Sequence, residues 1–406
     1  MRRLRRHRPL ALTLALTAAG GFTLTWGVAR AQKKSALTVT STLPGWLAPG
    51  GRLVVSGTAA SADVVMLSLG GVRRRTTARE DGAFVFKVRA PAQPGAHTVA
   101  VGLAEDRAAR LDLGAVHIRP VRLAAVGDVN LGDRARAAIS EYGVRYPWLS
   151  VAPVLRAPDI SVANLECAIS RRGSPWPGKE FTFRGSPSSL RAMARYAGVD
   201  AVSLANNHSL DYGRVAFADT LSYAHDFGLK TFGGGRNLDA ARRPAVFRRG
   251  GLRIAVLGYS DVRPLGFDAG PTQSGTAPAF PEYIAPDVRR ARRRGADAVV
   301  VFFHWGIERR TTPTARQRSL ARVAFDAGAT VVLGAHPHVL QPIEAPRVRR
   351  LVAWSLGNFV FGADTAVTQR TGILKVRLGR RGVQRHRLRR ARIGGIYNVQ
   401  PRLTRR

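Results

Sequence analysis

Residues 203–213 of this 406-residue chain read SLANNHSLDYG, an Asn-Asn-His followed three residues later by an Asp, closing an apolar run over 199–204. These residue types can furnish a metal-bound hydrolytic site. The amide oxygen of Asn207 can bind a hard cation, His208 can give or take a proton, and Asp211 stands close enough in sequence to fix the imidazole tautomer. The same residues also suit an ordinary turn, because Asn favours turns for backbone reasons.

Five further polar blocks follow the same plan, each closing an apolar run. Residues 121–126 end in Gly127-Asp128-Val129-Asn130, and 160–163 in Asn164-Leu165-Glu166. Residues 298–303 end in His304-Trp305-Gly306, 330–333 in Gly334-Ala335-His336-Pro337-His338, and 351–355 run on to Gly357-Asn358-Phe359. Four of the nine histidines fall within the six blocks. Short apolar runs separated by helical stretches read as strands buried on both faces, and such sheets bind ligands at the carboxyl ends of their strands. The polar residues are therefore expected to meet on one edge. Two adjacent cations would need carboxylates to offset their mutual repulsion and imidazoles to hold a borderline metal such as Mn, Fe or Zn. This set contains both.

At these residues the chain resembles the capsule-synthesis CapA family, the poly-γ-glutamate synthesis proteins, whose fold belongs to the calcineurin-like metallophosphoesterases. The resemblance covers roughly residues 120–396, and Phe181-Thr182-Phe183-Arg184 and SLGNFVF over 355–361 also fit it. It implies a layered α/β/β/α domain with one or two divalent transition-metal ions. By the same resemblance Asp128 would bind or bridge the first metal, helped by His338. Glu166 would stand at the superfamily's bridging position, and Asn207, His304 and His336 would hold the second metal. His208, oriented by Asp211, would protonate a leaving group. Arg184 is a candidate fork for a substrate carboxylate or phosphate, with a surface role as its alternative, and Asn358 is either a substrate contact or a structural turn. Two departures bear on the first metal. Asp128-Val129-Asn130 stands where the superfamily has Asp-x-His, and Asn164-Leu165-Glu166 where it has Gly-Asp.

The remaining chain says where such a site would work. Residues 1–31 begin with five arginines in the first eight positions, followed by an uncharged run over 9–29 and Ala29-Arg30-Ala31, the pattern of an export signal that is either cleaved or kept as an anchor. Either way the following residues face outward or are secreted. The formal charge is +38, yet only six of the 64 basic side chains are lysines, and the arginines are dispersed without aromatic interleaving or a recognition-helix motif. Nucleic acid is not the expected partner. An anionic polymer or its precursor is, with a membrane-bound synthesis complex as a second partner. Only residues 380–390 and 402–406 are dense enough in arginine to form a patch. The single cysteine, Cys167, excludes an intramolecular disulfide and is read as core filler or as a thiol near the metals.

Residues 35–118 contain apolar or alternating stretches at 53–55, 64–67, 84–88 and 97–101, spaced by turns such as Gly50-Gly51, Gly70-Gly71 and Asp81-Gly82. This pattern predicts a small β-sandwich and is similar to a bacterial immunoglobulin-like domain. From residue 120 strands alternate with helical stretches at 188–196, 214–227, 284–294 and 314–327, as an α/β domain requires, and 397–406 is expected to be a basic tail. The Gly- and Pro-rich segment 266–281 is read as a lid, a substrate loop or a plain surface loop. Two functions follow. One is a metal-dependent hydrolase acting on an anionic polymer outside the cytoplasm. The other is a non-catalytic polymer-binding subunit of a synthesis or export complex.

Overall fold

The computed structural model describes residues 36–404, so the expected export segment and the last two arginines lie outside it. Among the described residues no helix is long and apolar enough to cross a membrane.

The first strands alternate buried and exposed side chains, as in Arg52–Thr58, Val64–Leu69 and Ala83–Arg89. Period-two alternation puts one face of each strand inward. A three-stranded sheet (Thr38–Val39, Arg52–Thr58, Ala83–Arg89) and a five-stranded sheet (Trp46–Leu47, Arg110–Ile118, Gly95–Leu103, Val64–Leu69, Val72–Thr77) therefore share one core. Leu53, Val55, Phe84 and Phe86 meet Val65, Leu67, Val99 and Val116 there.

Beyond residue 120 two larger sheets pack face to face. One runs Lys230–Phe232, Ala201–Ser203, Ile160–Leu165, Val121–Val129, Arg370–Gly379, Gly382–Gly394 and Gln400–Leu403, with Asn358–Val360 paired to Val121–Val129. The other runs Ala245–Arg249, Leu252–Ser260, Ala298–His304, Val331–Ala335, Leu351–Ala353 and Ile343–Glu344. The inner core joins Leu123, Ala125 and Val162 to Val300, Phe302 and Leu333. Helices Asp133–Tyr142, Pro187–Arg195 and Gly213–Asp226 cover the outside of the first sheet through Ala138, Met193 and Phe217. Pro281–Arg293 and Ala315–Asp326 cover the second through Val288 and Leu320. The second of these begins in a capping box, with Thr314 accepting from the Gln317 N–H and the Gln317 side chain bonding back, which satisfies otherwise orphaned donors. This is the expected α/β/β/α layering, and its central strands are nearly all buried because both of their faces are covered.

The layering places the site. Val121–Val129, Ile160–Leu165 and Ala201–Ser203 are parallel neighbours, and so are Leu252–Ser260, Ala298–His304 and Val331–Ala335. All six therefore end on one edge. Gly127 is needed there, because a Cβ at this position would lie 1.9 Å from the Gly357 carbonyl oxygen, the atom that accepts the Asp128 N–H at 2.9 Å.

One expectation is corrected. Residues 397–404 do not form a tail, since Gln400–Leu403 pairs antiparallel with Gly382–Gly394 and Val399 is fully buried. Left-handed backbone at Gly395, Tyr397 and Asn398 turns the chain back onto the sheet. Gly127→Ala should lower stability by about 1–3 kcal/mol through forced displacement of the Gly357 backbone. Gly394→Ala, with nothing within 4 Å of the added carbon, should stay within about 0.5 kcal/mol of wild type. Urea midpoints for the two variants check this, and equal midpoints would contradict it.

Candidate metal centre

The six strand ends do meet. His304 continues the inward series Ala298, Val300, Phe302, so its ring points between the sheets rather than at the helices. Glu166 and Asn207 follow the ends of Ile160–Leu165 and Ala201–Ser203, and His336 and His338 follow Val331–Ala335. Ligand atoms of Asp128, Glu166 and His338 lie within 4.8 Å of one another, as do those of Glu166, His304 and His336. Glu166 belongs to both sets. The Asn207 side-chain oxygen lies 2.7 Å from His304 Nε2, which attaches it to the second set. Exposed Glu308 comes equally near His336 and His338.

Asp128, Glu166 and His304 are at most 1% exposed. Two carboxylates in a space this dry cannot both ionise unassisted. Burial and the neighbouring Asp128 push the Glu166 carboxyl well above the usual range. Burial works against Asp128 too, but contacts from His338 and Asn164 outweigh it and hold its carboxyl low. His338 Nδ1 is 3.3 Å from Asp128 Oδ2, and this contact overcomes burial to raise the His338 imidazole. Burial holds the His304 imidazole well below its usual range and takes His336 down to about 3. Glu166 Oε1 and His336 Nδ1 are buried without a hydrogen-bond partner. Unpaired buried polar atoms are expensive. These two belong to the set that would share a divalent cation, and a mixture of imidazole, carboxylate and amide oxygen fits Mn, Fe or Zn. His336 and His338 also take up left-handed backbone, with φ of 95° and 57°, and such strain in non-glycine residues is typically kept where function demands a side-chain direction.

The family model for the bacterial capsule synthesis protein PGA_cap matches residues 122–363, which contain all ten predicted site residues. The chain belongs to this family. It is 33% identical to the PGA biosynthesis protein CapA of Bacillus subtilis, over 64% of this chain and 68% of that one. It is 30% identical to the capsule biosynthesis protein CapA of Bacillus anthracis, over 62% of each. Among solved structures, a hypothetical protein from Thermus thermophilus aligns at TM-score 0.43 and 16% identity, over 66% of this chain and 98% of that one.

In this PGA_cap chain a second cluster adjoins the ligand sets. His208 Nδ1 lies 2.7 Å from Asp211 Oδ2, and Asp211 also accepts the Phe183 N–H at 2.6 Å. The His208 ring is 7% exposed and stacks on Phe183 at 4.2 Å. Burial lowers its pKa despite Asp211. The Lys179 ammonium reaches Asp211 and the Asn207 carbonyl and sits 3.1 Å from His208 Nδ1. Lys179 escaped the sequence reading, although a signal was present: it is one of six lysines in a chain that otherwise uses arginine for its cations.

Arg184 lies apart from the ligand sets, and Asn358 stands behind one of them. The Arg184 guanidinium covers the Tyr212 ring at 4.1 Å and donates to the Gly173 carbonyl at 3.3 Å, so within its block it is Phe183 that reaches the site. Asn358 accepts from His338 Nδ1 at 2.9 Å and supports that ring rather than offering itself to a substrate. Asn164, noted only as part of a motif, is the hub. Its amide donates to Asp128 at 2.9 Å and to Glu166 at 3.4 Å, and its oxygen accepts from Asn206 at 3.0 Å. Asn130 turns its oxygen onto the Gly132 N–H at 2.8 Å, away from both ligand sets. Cys167 is buried core, and burial keeps its thiol protonated with a pKa of about 12. Segment 266–281 is pinned, with Phe267 fully buried against Trp176 and Gly275–Thr276 paired to Gly234–Gly235.

A cation entering beside Glu166 competes with protons for a carboxyl whose pKa burial and Asp128 raise. Metal affinity should therefore rise with pH, and calorimetry in buffers of different ionisation enthalpy should register proton release. Uptake without released protons would contradict this charge state.

Proposed function

We propose that this chain is an extracytoplasmic CapA-type protein of anionic-polymer synthesis or export, of the poly-γ-glutamate type, and that its strand-end cluster is a divalent-metal hydrolytic centre. The observation that carries the reading is the buried pair of ligand sets sharing Glu166, with Glu166 Oε1 and His336 Nδ1 left unpartnered inside it. The name of the Bacillus subtilis relative supports the polymer and that of the Bacillus anthracis relative a capsule, and the arginine-rich start of residues 1–31 supports export.

Asp128, Glu166 and His338 would hold one ion, and Glu166, Asn207, His304 and His336 the other. Bound ions supply a water of lowered pKa and positive charge for a substrate oxygen. The chain's own residues do the rest. Asn164 fixes the carboxylates of Asp128 and Glu166 in one orientation, and Asn358 fixes the His338 ring. Asp211 holds His208 by Nδ1, which leaves Nε2 for proton exchange with the reacting group. Phe183 shields that imidazole from water on one face. Lys179 balances the Asp211 charge.

Reconstituted full-length protein should carry Mn, Fe or Zn by elemental analysis, and His336→Ala should lose most of it. His208→Ala should keep its metal while hydrolysis of γ-glutamyl polymer or of phosphoesters falls by about 10²–10⁴-fold. Protein that takes up no transition metal would sink the hydrolase reading. Metal-loaded wild type and His208→Ala that are equally inactive on every substrate would favour the non-catalytic polymer-binding role.

A further inference from the structure

The charge left unexplained by the metal centre is concentrated at the opposite edge of the sheets. A cleft of about 570 Å³ opens where the small sandwich meets the layered domain, lined by Arg89, Arg349, Arg380 and Arg381 with Val383 and Gln384. Asp297 is shared by Arg89 at 3.5 Å and Arg380 at 3.7 Å. Arg349 and Arg381 pair with no carboxylate among the described residues. Four guanidiniums thus converge against one acid, at a cost in repulsion that a bound anion would relieve.

A second observation points the same way. Arg380 and Arg381 form the tip of the hairpin joining Arg370–Gly379 to Gly382–Gly394. Along this hairpin Arg377 lies directly opposite Arg385, and Arg122 of the next strand, opposite Arg377, shares Asp159 at 3.7 Å. Leu374, Val376 and Leu378 fill the core between the sheets, so these cations stand on the other face, exposed. Like charges placed directly across a ladder destabilise it. The row continues from the cleft along the ribbon.

We propose that the arginine cleft and this ribbon form a docking track for a polycarboxylate chain, separate from the metal centre. The hairpin runs antiparallel beside Val121–Val129, with Leu378 opposite Val121 and Leu374 opposite Ala125, so its cleft end lies about 23 Å along the strand from Asp128 at the usual rise per residue. A polymer held at the cleft end of the track is therefore retained away from the strand-end cluster. The lining favours carboxylates over the other polyanions. It has no aromatic side chain on which bases would stack, and no large apolar side chain to enter a bilayer. Guanidiniums match carboxylates in forked pairs. The inference deepens the function proposed above and rests on its polymer class, but it can fail by itself.

The test titrates labelled poly-γ-glutamate against the full chain by fluorescence anisotropy, with oligodeoxythymidine and phosphatidylglycerol vesicles as competing probes. Arg349→Ala combined with Arg381→Ala should weaken polymer binding at least tenfold and flatten its salt dependence, with metal content unchanged. His336→Ala should lose metal and keep polymer affinity. Unchanged affinity in the arginine variant overturns the track, and so does polymer binding that disappears with His336→Ala alone, while the metal-centre reading stands in both cases. Tighter binding of the oligonucleotide or the vesicles than of the polymer overturns the choice of occupant.

Discussion

Asp128 and Glu166 are buried side by side with three imidazoles around them, and the rest of the layered domain is arranged around that constraint. Two carboxylates in a dry interior repel each other, and each has lost its hydration. Protein groups meet part of the demand: Asn164 bonds to both, and His338 closes on Asp128. They leave Glu166 Oε1 and His336 Nδ1 buried without a hydrogen bond, Glu166 Oε1 lying 3.5 Å from His304 Nε2. The arrangement stores electrostatic cost at one place, which is how metal centres are made ready before the ion arrives.

The scaffold supplies that place with few adjustable parts. The parallel central strands of two sheets packed face to face end together, so strand ends bring ligands to one edge without a long loop. Precision then comes from backbone detail. Gly127 admits the Gly357 carbonyl, and the left-handed conformations of His336 and His338 aim two rings at carboxylates on the facing sheet. The amino ends of the same strands are free of this chemistry. There the hairpin tip, the small sandwich and the segment before Leu351–Ala353 bring four arginines together.

Much of this was legible in the sequence because the central strands are buried on both faces and appear as apolar runs broken by polar blocks. The blocks that carry His304, His336, His338, Asp128, Glu166 and Asn207 were identifiable from that rhythm, and the resemblance to the CapA family picked these residues out of them. What stayed hidden depends on contacts between distant segments. Lys179 lies in a loop, and only the fold carries its ammonium to Asp211. In the 181–184 block Arg184 looked like the chemical residue, yet strand pairing turns it onto Tyr212 and gives the site Phe183. The arginine-rich strand Gly382–Gly394 carries exposed cations through most of its length, so its chemistry masks its β-pattern, and the last residues read as a tail for the same reason. Asn164 was seen only as a neighbour of Glu166, since a hub is defined by its partners.

The central claim is that Glu166 is shared between two ion positions rather than serving one. Electron paramagnetic resonance of the protein fully loaded with Mn(II) tests it most directly, because two ions joined by a carboxylate couple magnetically and isolated ions do not. Wild type should give a coupled dinuclear spectrum, and Glu166→Gln an uncoupled one. A fully loaded wild type showing only isolated Mn(II) would contradict it.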